Sequence, residues 1–224
     1  MRIIAYDNSR VTMLFPLEEV SPLGGASGPA IFDAIGKRYS FAKRPNLSAP
    51  RDELEKTGYK FELGSIITSE KEITIGELAI FGDGIVVGAV TTDDAEVLID
   101  NLIEYIKSEH KFRDFNTLPI RRFVSQIVVE FERPLSSLMD AYNTIAAAIS
   151  GKLEAVYETK IPLGLGKIEV QFDKLLEQSS LIVPNFTIER RVGIPFNKER
   201  YYCSAPLRTR DHLEVLGQIE SLLH

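Results

Sequence analysis

The hexapeptide DDAEVL at residues 93–98 is echoed by DHLEVL at 211–216, and each copy follows a pair of strand-like runs in a chain of 224 residues. An Asp followed three residues later by Glu, ahead of an aliphatic run, marks a helix start, because short polar side chains satisfy the free N–H groups of the first turn. In the first copy this places the cap on Asp93 and Glu96, with Ile99, Leu102, Ile103 and Ile106 along one face. The second helix is expected to bury Val215, Leu216, Ile219 and Leu223. The cap motifs align at an offset of 118 and the apolar faces align better at 117, a mismatch that one inserted residue reconciles. The chain therefore reads as two similarly built halves.

The remaining punctuation extends the echo. RIIAY and RVTMLF flank Asp7, Asn8 and Ser9 and read as a hairpin. A Gly-rich loop with Ser27 as cap leads into a helix that carries Ile31, Ala34 and Ile35 on one face. Residues 41–60 are polar and proline-punctuated, an excursion with one short helix near DELEK. FELGSIIT, EITIGELAIF and IVVGAV follow as strands, the last two joined by the FGDG turn. The Pro119 region, HKFRDFNTLPIRR, is the expected boundary between halves 1–115 and 116–224.

In the second half FVSQIVVEFE is a strand, and Pro134 and Ser136 introduce a helix. Leu138, Ala141, Tyr142, Ile145, Ala148 and Ile149 share its apolar face, and Gly151 is its expected stop. EAVYETKIPL and KIEVQF read as strands around Gly164 and Gly166, and FTIERRVGI pairs with RYYCSAPL around PFNKE. The expected class is α+β, each half an antiparallel sheet with helices on one face in the order strand, helix, strands, helix. On topology alone, that order is similar to helix-grip and TATA-binding-protein-like folds, and topology licenses no function.

Composition narrows the function classes. Hydrophobic residues at 44% and charged residues at 26% are those of a globular protein. The first apolar run is broken by Asp7 and Asn8, unlike a signal peptide, and no run of about 18 apolar residues is present to span a bilayer. A cytoplasmic protein without a membrane role is expected. A single cysteine, Cys203, excludes an internal disulfide, and no zinc-like spacing occurs, so neither metal nor cofactor is expected. A net charge of −6 and helices carrying Asp and Glu argue against sequence-specific DNA recognition.

One stretch concentrates chemistry: residues 189–212, ERRVGIPFNKERYYCSAPLRTRDH, with five arginines, one lysine, Cys203 and His212. Lys198, Arg200, Arg208 and Arg210 lie ahead of the last helix, where backbone N–H donors add to their charge, the ingredients of an anion site. Glu189, Glu199 and Asp211 compete as ion-pair partners. Gly28, Lys37 and Arg38 form a second anion-binding candidate around the Gly-rich loop. Strand alternation puts Tyr201, Cys203 and Ala205 on one side, which makes Cys203 a small buried hydrophobe rather than a nucleophile paired with His212. Glu130 and Glu132 are the acids that could converge at period two. These features favour a non-catalytic binding or assembly protein that self-associates or holds a protein partner. The alternative is an enzyme or sensor for a phosphorylated ligand, a nucleotide or RNA end, at the basic rim.

Overall fold

A computed structural model describes residues 1–21, 28–139, 141–159, 163–171 and 183–223. In chain order the elements are β1 (Arg2–Tyr6), β2 (Ser9–Leu14), α1 (Leu17–Val20), α2 (Gly28–Arg38), α3 (Arg51–Thr57), β3 (Tyr59–Ile67), β4 (Glu72–Phe81), β5 (Gly84–Ala89), α4 (Thr92–His110), β6 (Ile120–Glu130), α5 (Tyr142–Tyr157), β7 (Lys167–Val170), β8 (Phe186–Arg190), β9 (Arg200–Ala205) and α6 (Thr209–Ser221). The fold is mixed α+β with antiparallel pairing throughout the described ladders, and strand, helix, strands, helix recurs along the chain. Among the described residues no helix is long and apolar enough to cross a membrane. The expected Ser27 cap, residues 160–162 and Phe172 of two predicted strands lie outside the described residues.

The chain divides into two compact units. One comprises Asn8–Ser125 with Leu207–Thr209; the other comprises Met1–Asp7, Gln126–Pro206 and Arg210–His224.

In the Asn8–Ser125 unit the strands run β3-β4-β5-β2-β6. Alternation sends Val11 and Met13 of β2, Phe61 of β3 and Val87 of β5 into one core, and a register shift between Ile75 and Glu77 of β4 brings Ile75 and Leu78 to the same side. Ile31 and Ile35 of α2 and Leu98, Ile99 and Leu102 of α4 close that core from the helical side. The FGDG hairpin forms as read, with Phe81 opposite Gly84. Gly84 is required there: its φ is 151°, and a Cβ would stand 2.2 Å from the Met13 carbonyl oxygen. The cap of α4 differs from the expectation. Thr91, extended at φ −125°, accepts from the Asp94 N–H, and its hydroxyl donates to the Asp94 carboxylate at 2.8 Å. Thr91 thus moves the cap two residues upstream and leaves Glu96 available for other partners.

The expected hairpin between β1 and β2 does not form. β2 pairs with residues 120–124 of β6, and β1 pairs with residues 127–130 of the same strand. Asp7 donates its N–H to the Gln126 carbonyl at 2.9 Å, so the polar residues read as a turn instead continue along one partner.

In the other unit β8 lies between β7 and β9. The β8–β9 pairing is as read, although β8 ends at Arg190 and residues 192–194 turn. Burial alternates along β9, with Tyr201, Cys203 and Ala205 inside, and Ile127, Val129, Ile188 and Leu216 join Tyr201 and Cys203 in a second core.

The expectations for α5 are corrected twice. The helix begins at Tyr142, after a 3-10 turn at Leu135–Leu138, and it runs through Gly151 to Tyr157. Glu154–Tyr157, read as the start of a strand, are thus helical. Gly151 does not stop the helix because no left-handed turn occurs there; the left-handed residue that closes it is Glu158, at φ 51°. The face read as core is also not covered, since none of the sixteen residues of α5 is buried.

Candidate functional site

The basic rim is matched by carboxylates, one for each arginine. In the Gln126–Pro206 unit, Arg200 reaches Glu130 through Nε at 3.3 Å and NH2 at 3.0 Å, and Arg2 reaches the other oxygen of Glu130 at 2.8 Å. The Arg200 hydrogen bond is the main cause, with Arg2 beside it, of a Glu130 carboxyl held below its ordinary value. Arg210 lies 3.5 Å from Asp211. Lys198 is exposed on the 3-10 turn Phe196–Lys198. Glu130 and Glu132 do not form an acid pair: Glu130 serves two arginines, while the Glu132 side chain is 83% exposed.

Arg208 belongs to the Asn8–Ser125 unit. It makes a two-pronged contact with Glu96, Nε to Oε2 at 3.0 Å and NH2 to Oε1 at 3.1 Å, and its guanidinium lies 4.6 Å from the centre of the Phe123 ring. Arg121 of β6 donates to the same Glu96 at 3.1 Å and also to Asp100. Burial opposes ionisation of Glu96, and the hydrogen bonds and charges of Arg208 and Arg121 outweigh it, so its pKa is lowered. Glu96, read from sequence as a capping residue, is the hub of a two-arginine cluster.

Gly28, Lys37 and Arg38 do not form one cradle. They occupy opposite ends of α2: Lys37 pairs with Asp33 one turn back at 2.6 Å, and Arg38 stacks 4.3 Å from the Tyr105 ring centre while reaching Asn101 at 3.4 Å. Gly28 instead lines an apolar cavity.

That cavity, about 310 Å³, lies wholly in the Asn8–Ser125 unit. Its walls come from α2 (Ile31, Phe32, Ile35), α4 (Leu102, Ile103, Ile106) and the facing strand residues Ile80 and Ile85. Sequence periodicity placed Ile31, Ile35, Leu102 and Ile106 in a core; it carries no signal for space left between them.

A second polar cluster holds the turn between β8 and β9. Arg190 donates to the Leu165 carbonyl at 3.1 Å, the Phe196 carbonyl at 3.1 Å and Glu199 at 2.8 Å, while the Tyr201 hydroxyl donates to Glu199 at 2.6 Å. Cys203 and His212 are both fully buried in the same unit. Burial pushes the thiol up to about 12 and the imidazole down to about 4, the reverse of what a thiolate–imidazolium pair requires. Among the described residues no group of three or more His, Cys, Asp or Glu side chains is arranged to hold a metal ion.

No protein-family model and no curated protein matches the chain. Among solved structures it is similar to Methanococcus jannaschii TBP, at a TM-score of 0.41 and 13% identity, covering 99% of this chain and 98% of that one.

Proposed function

We propose that the protein is a non-catalytic binding and assembly component, and that it associates with a second copy of itself through the apolar face of α5. One observation carries this reading. The longer of the two helices that follow β2 directly, α2, buries Ile31, Ile35 and Gly36, whereas α5 buries nothing. Ile145 is 57% exposed, Ile149 48% and Val156 71%, a row at helical spacing that water solvates poorly.

Charge favours a second copy over a charged partner. From Tyr142 to Gly151 the helix has no Asp, Glu, Lys, Arg or His, and one lysine and one glutamate follow at Lys152 and Glu154. Two such faces meet without repulsion in an isologous pair. A helix of sixteen residues is about 24 Å long. Its face covers a few hundred Å², below the roughly 800 Å² per partner of a tight complex. The expected assembly is therefore weak and concentration-dependent.

A phosphorylated ligand at Lys198, Arg200, Arg208 and Arg210 has less support, because Glu130, Glu96 and Asp211 already occupy the three guanidinium groups. Sedimentation velocity from low to high micromolar concentration tests the assembly reading. A shift from monomer to dimer that Ile145→Glu with Ile149→Glu abolishes is expected. A wild-type protein that stays monomeric throughout sinks the proposal.

A further inference from the structure

The apolar cavity belongs to the Asn8–Ser125 unit and is independent of α5. From its lining and size, we propose that it is a binding site for a small uncharged apolar molecule, a bicyclic aromatic or a medium-length alkyl chain.

The lining sets the chemistry. Among the described residues thirteen border the space, and none of these is ionisable. The polar side chain among them, Ser21, already donates to the Leu17 carbonyl at 2.9 Å. A charged ligand would enter with nothing to replace its hydration, a severe desolvation penalty, whereas an apolar one exchanges water for hydrocarbon. Ligand sites are typically concave and mostly apolar in this way.

Volume sets the size. About 310 Å³ is roughly twice the 150 Å³ void that accepts one benzene ring in an engineered core. Two fused rings or an extended alkyl chain match it. The walls are fixed by the fold: Ile35, Ile85 and Leu102, on α2, β5 and α4, are each under 4% exposed and anchored in the core. These three walls are thus in place before a ligand enters.

Titration with the uncharged fluorophore N-phenyl-1-naphthylamine tests the proposal, with 1-octanol and octanoate as competitors of equal chain length. Saturable one-to-one binding is expected, with 1-octanol displacing the probe at least tenfold better than octanoate. Two variants fill the cavity from different walls. Ile103→Trp adds bulk from α4, and Gly28→Leu does so where a new Cβ meets nothing within 4 Å. Each folded variant is expected to lose at least tenfold in probe affinity, and the second keeps the test decisive if the first does not fold. Ile145→Glu, in the other unit, is expected to bind as wild type does. Absence of saturable binding, equal competition by octanoate, wild-type affinity in a folded filled variant, or loss of binding in Ile145→Glu overturns the proposal.

Discussion

Thr92 and Thr209 satisfy each other. The Thr92 N–H donates to the Thr209 hydroxyl at 2.9 Å, the Thr209 N–H donates to the Thr92 hydroxyl at 2.7 Å, and the hydroxyl oxygens lie 3.2 Å apart. Both residues are buried, each is the first of its helix, and they are separated by 117 positions, the offset at which the apolar faces of α4 and α6 align. The echo that begins with DDAEVL and DHLEVL is thus anchored one residue before the first Asp–Asp pair, on a threonine that has a counterpart in the second copy.

Because each hydroxyl accepts from the other's backbone, removing one strands a buried donor. Thr92→Val and Thr209→Val are each expected to cost about 1–3 kcal/mol. The double variant should cost close to the two together, because each change leaves the other hydroxyl accepting from a backbone N–H and only the hydroxyl–hydroxyl contact is shared. Urea unfolding of the four proteins measures both losses, and single variants as stable as wild type would remove the reciprocal bonds from consideration.

Glu96→Gln tests the arginine cluster. The amide cannot match Arg208 and Arg121 as a carboxylate does, and a loss of about 2 kcal/mol is expected. The sign with pH follows from the direction of the shift: Glu96 is held below its ordinary value, so its contribution is present above the ordinary carboxylate range and is lost as pH falls through the lowered pKa. The gap between wild type and variant should close in acid. Loss of the Glu96 charge beside Arg208 and Arg121 should also give the variant a thermal shift with inorganic phosphate that the wild type lacks; a wild-type shift of equal size would favour an anion site at the rim.

His212 makes the Gln126–Pro206 unit acid-sensitive in a separate window. Burial lowers the imidazole from 6.5 to about 4, so below 6.5 the unfolded chain gains a proton that the native one does not. Stability should fall as pH drops from about 6.5 to about 4 and level off below, by at most about 3 kcal/mol. His212→Leu should flatten this slope, and chemical denaturation across that range reads it directly.

Cys203 should be inert until the chain unfolds. It is fully buried and its thiol is pushed up to about 12, so little thiolate exists at neutral pH. A thiol reagent is expected to label it at the rate of unfolding, at least a hundredfold slower than in denaturant. Rapid stoichiometric labelling of native protein would contradict its place in the core.

Features written in neighbouring residues were legible. Phe81–Gly84 specify their hairpin because the turn chemistry is local, and Ile99, Leu102 and Ile106 specify the buried face of α4 because helical spacing does. Choices among distant partners were not. Arg2–Tyr6 has the same alternation whether it pairs with β2 or with β6. Ile145 and Ile149 declare an apolar face without declaring what covers it. The rim arginines stood out in sequence, yet the carboxylate that engages Arg208 lies 112 positions away, and Glu96 looked fully used as a cap.

The pairing of β1 also sets a schedule for synthesis. Arg2–Tyr6 leave the ribosome well before their partners at residues 127–130, which emerge only after the intervening chain has been made. Until then β1 is an unpaired edge with Ile3, Ile4 and Tyr6 open to other nascent chains. Folding yield, more than final stability, should therefore depend on translation speed and on chaperones that shield β1.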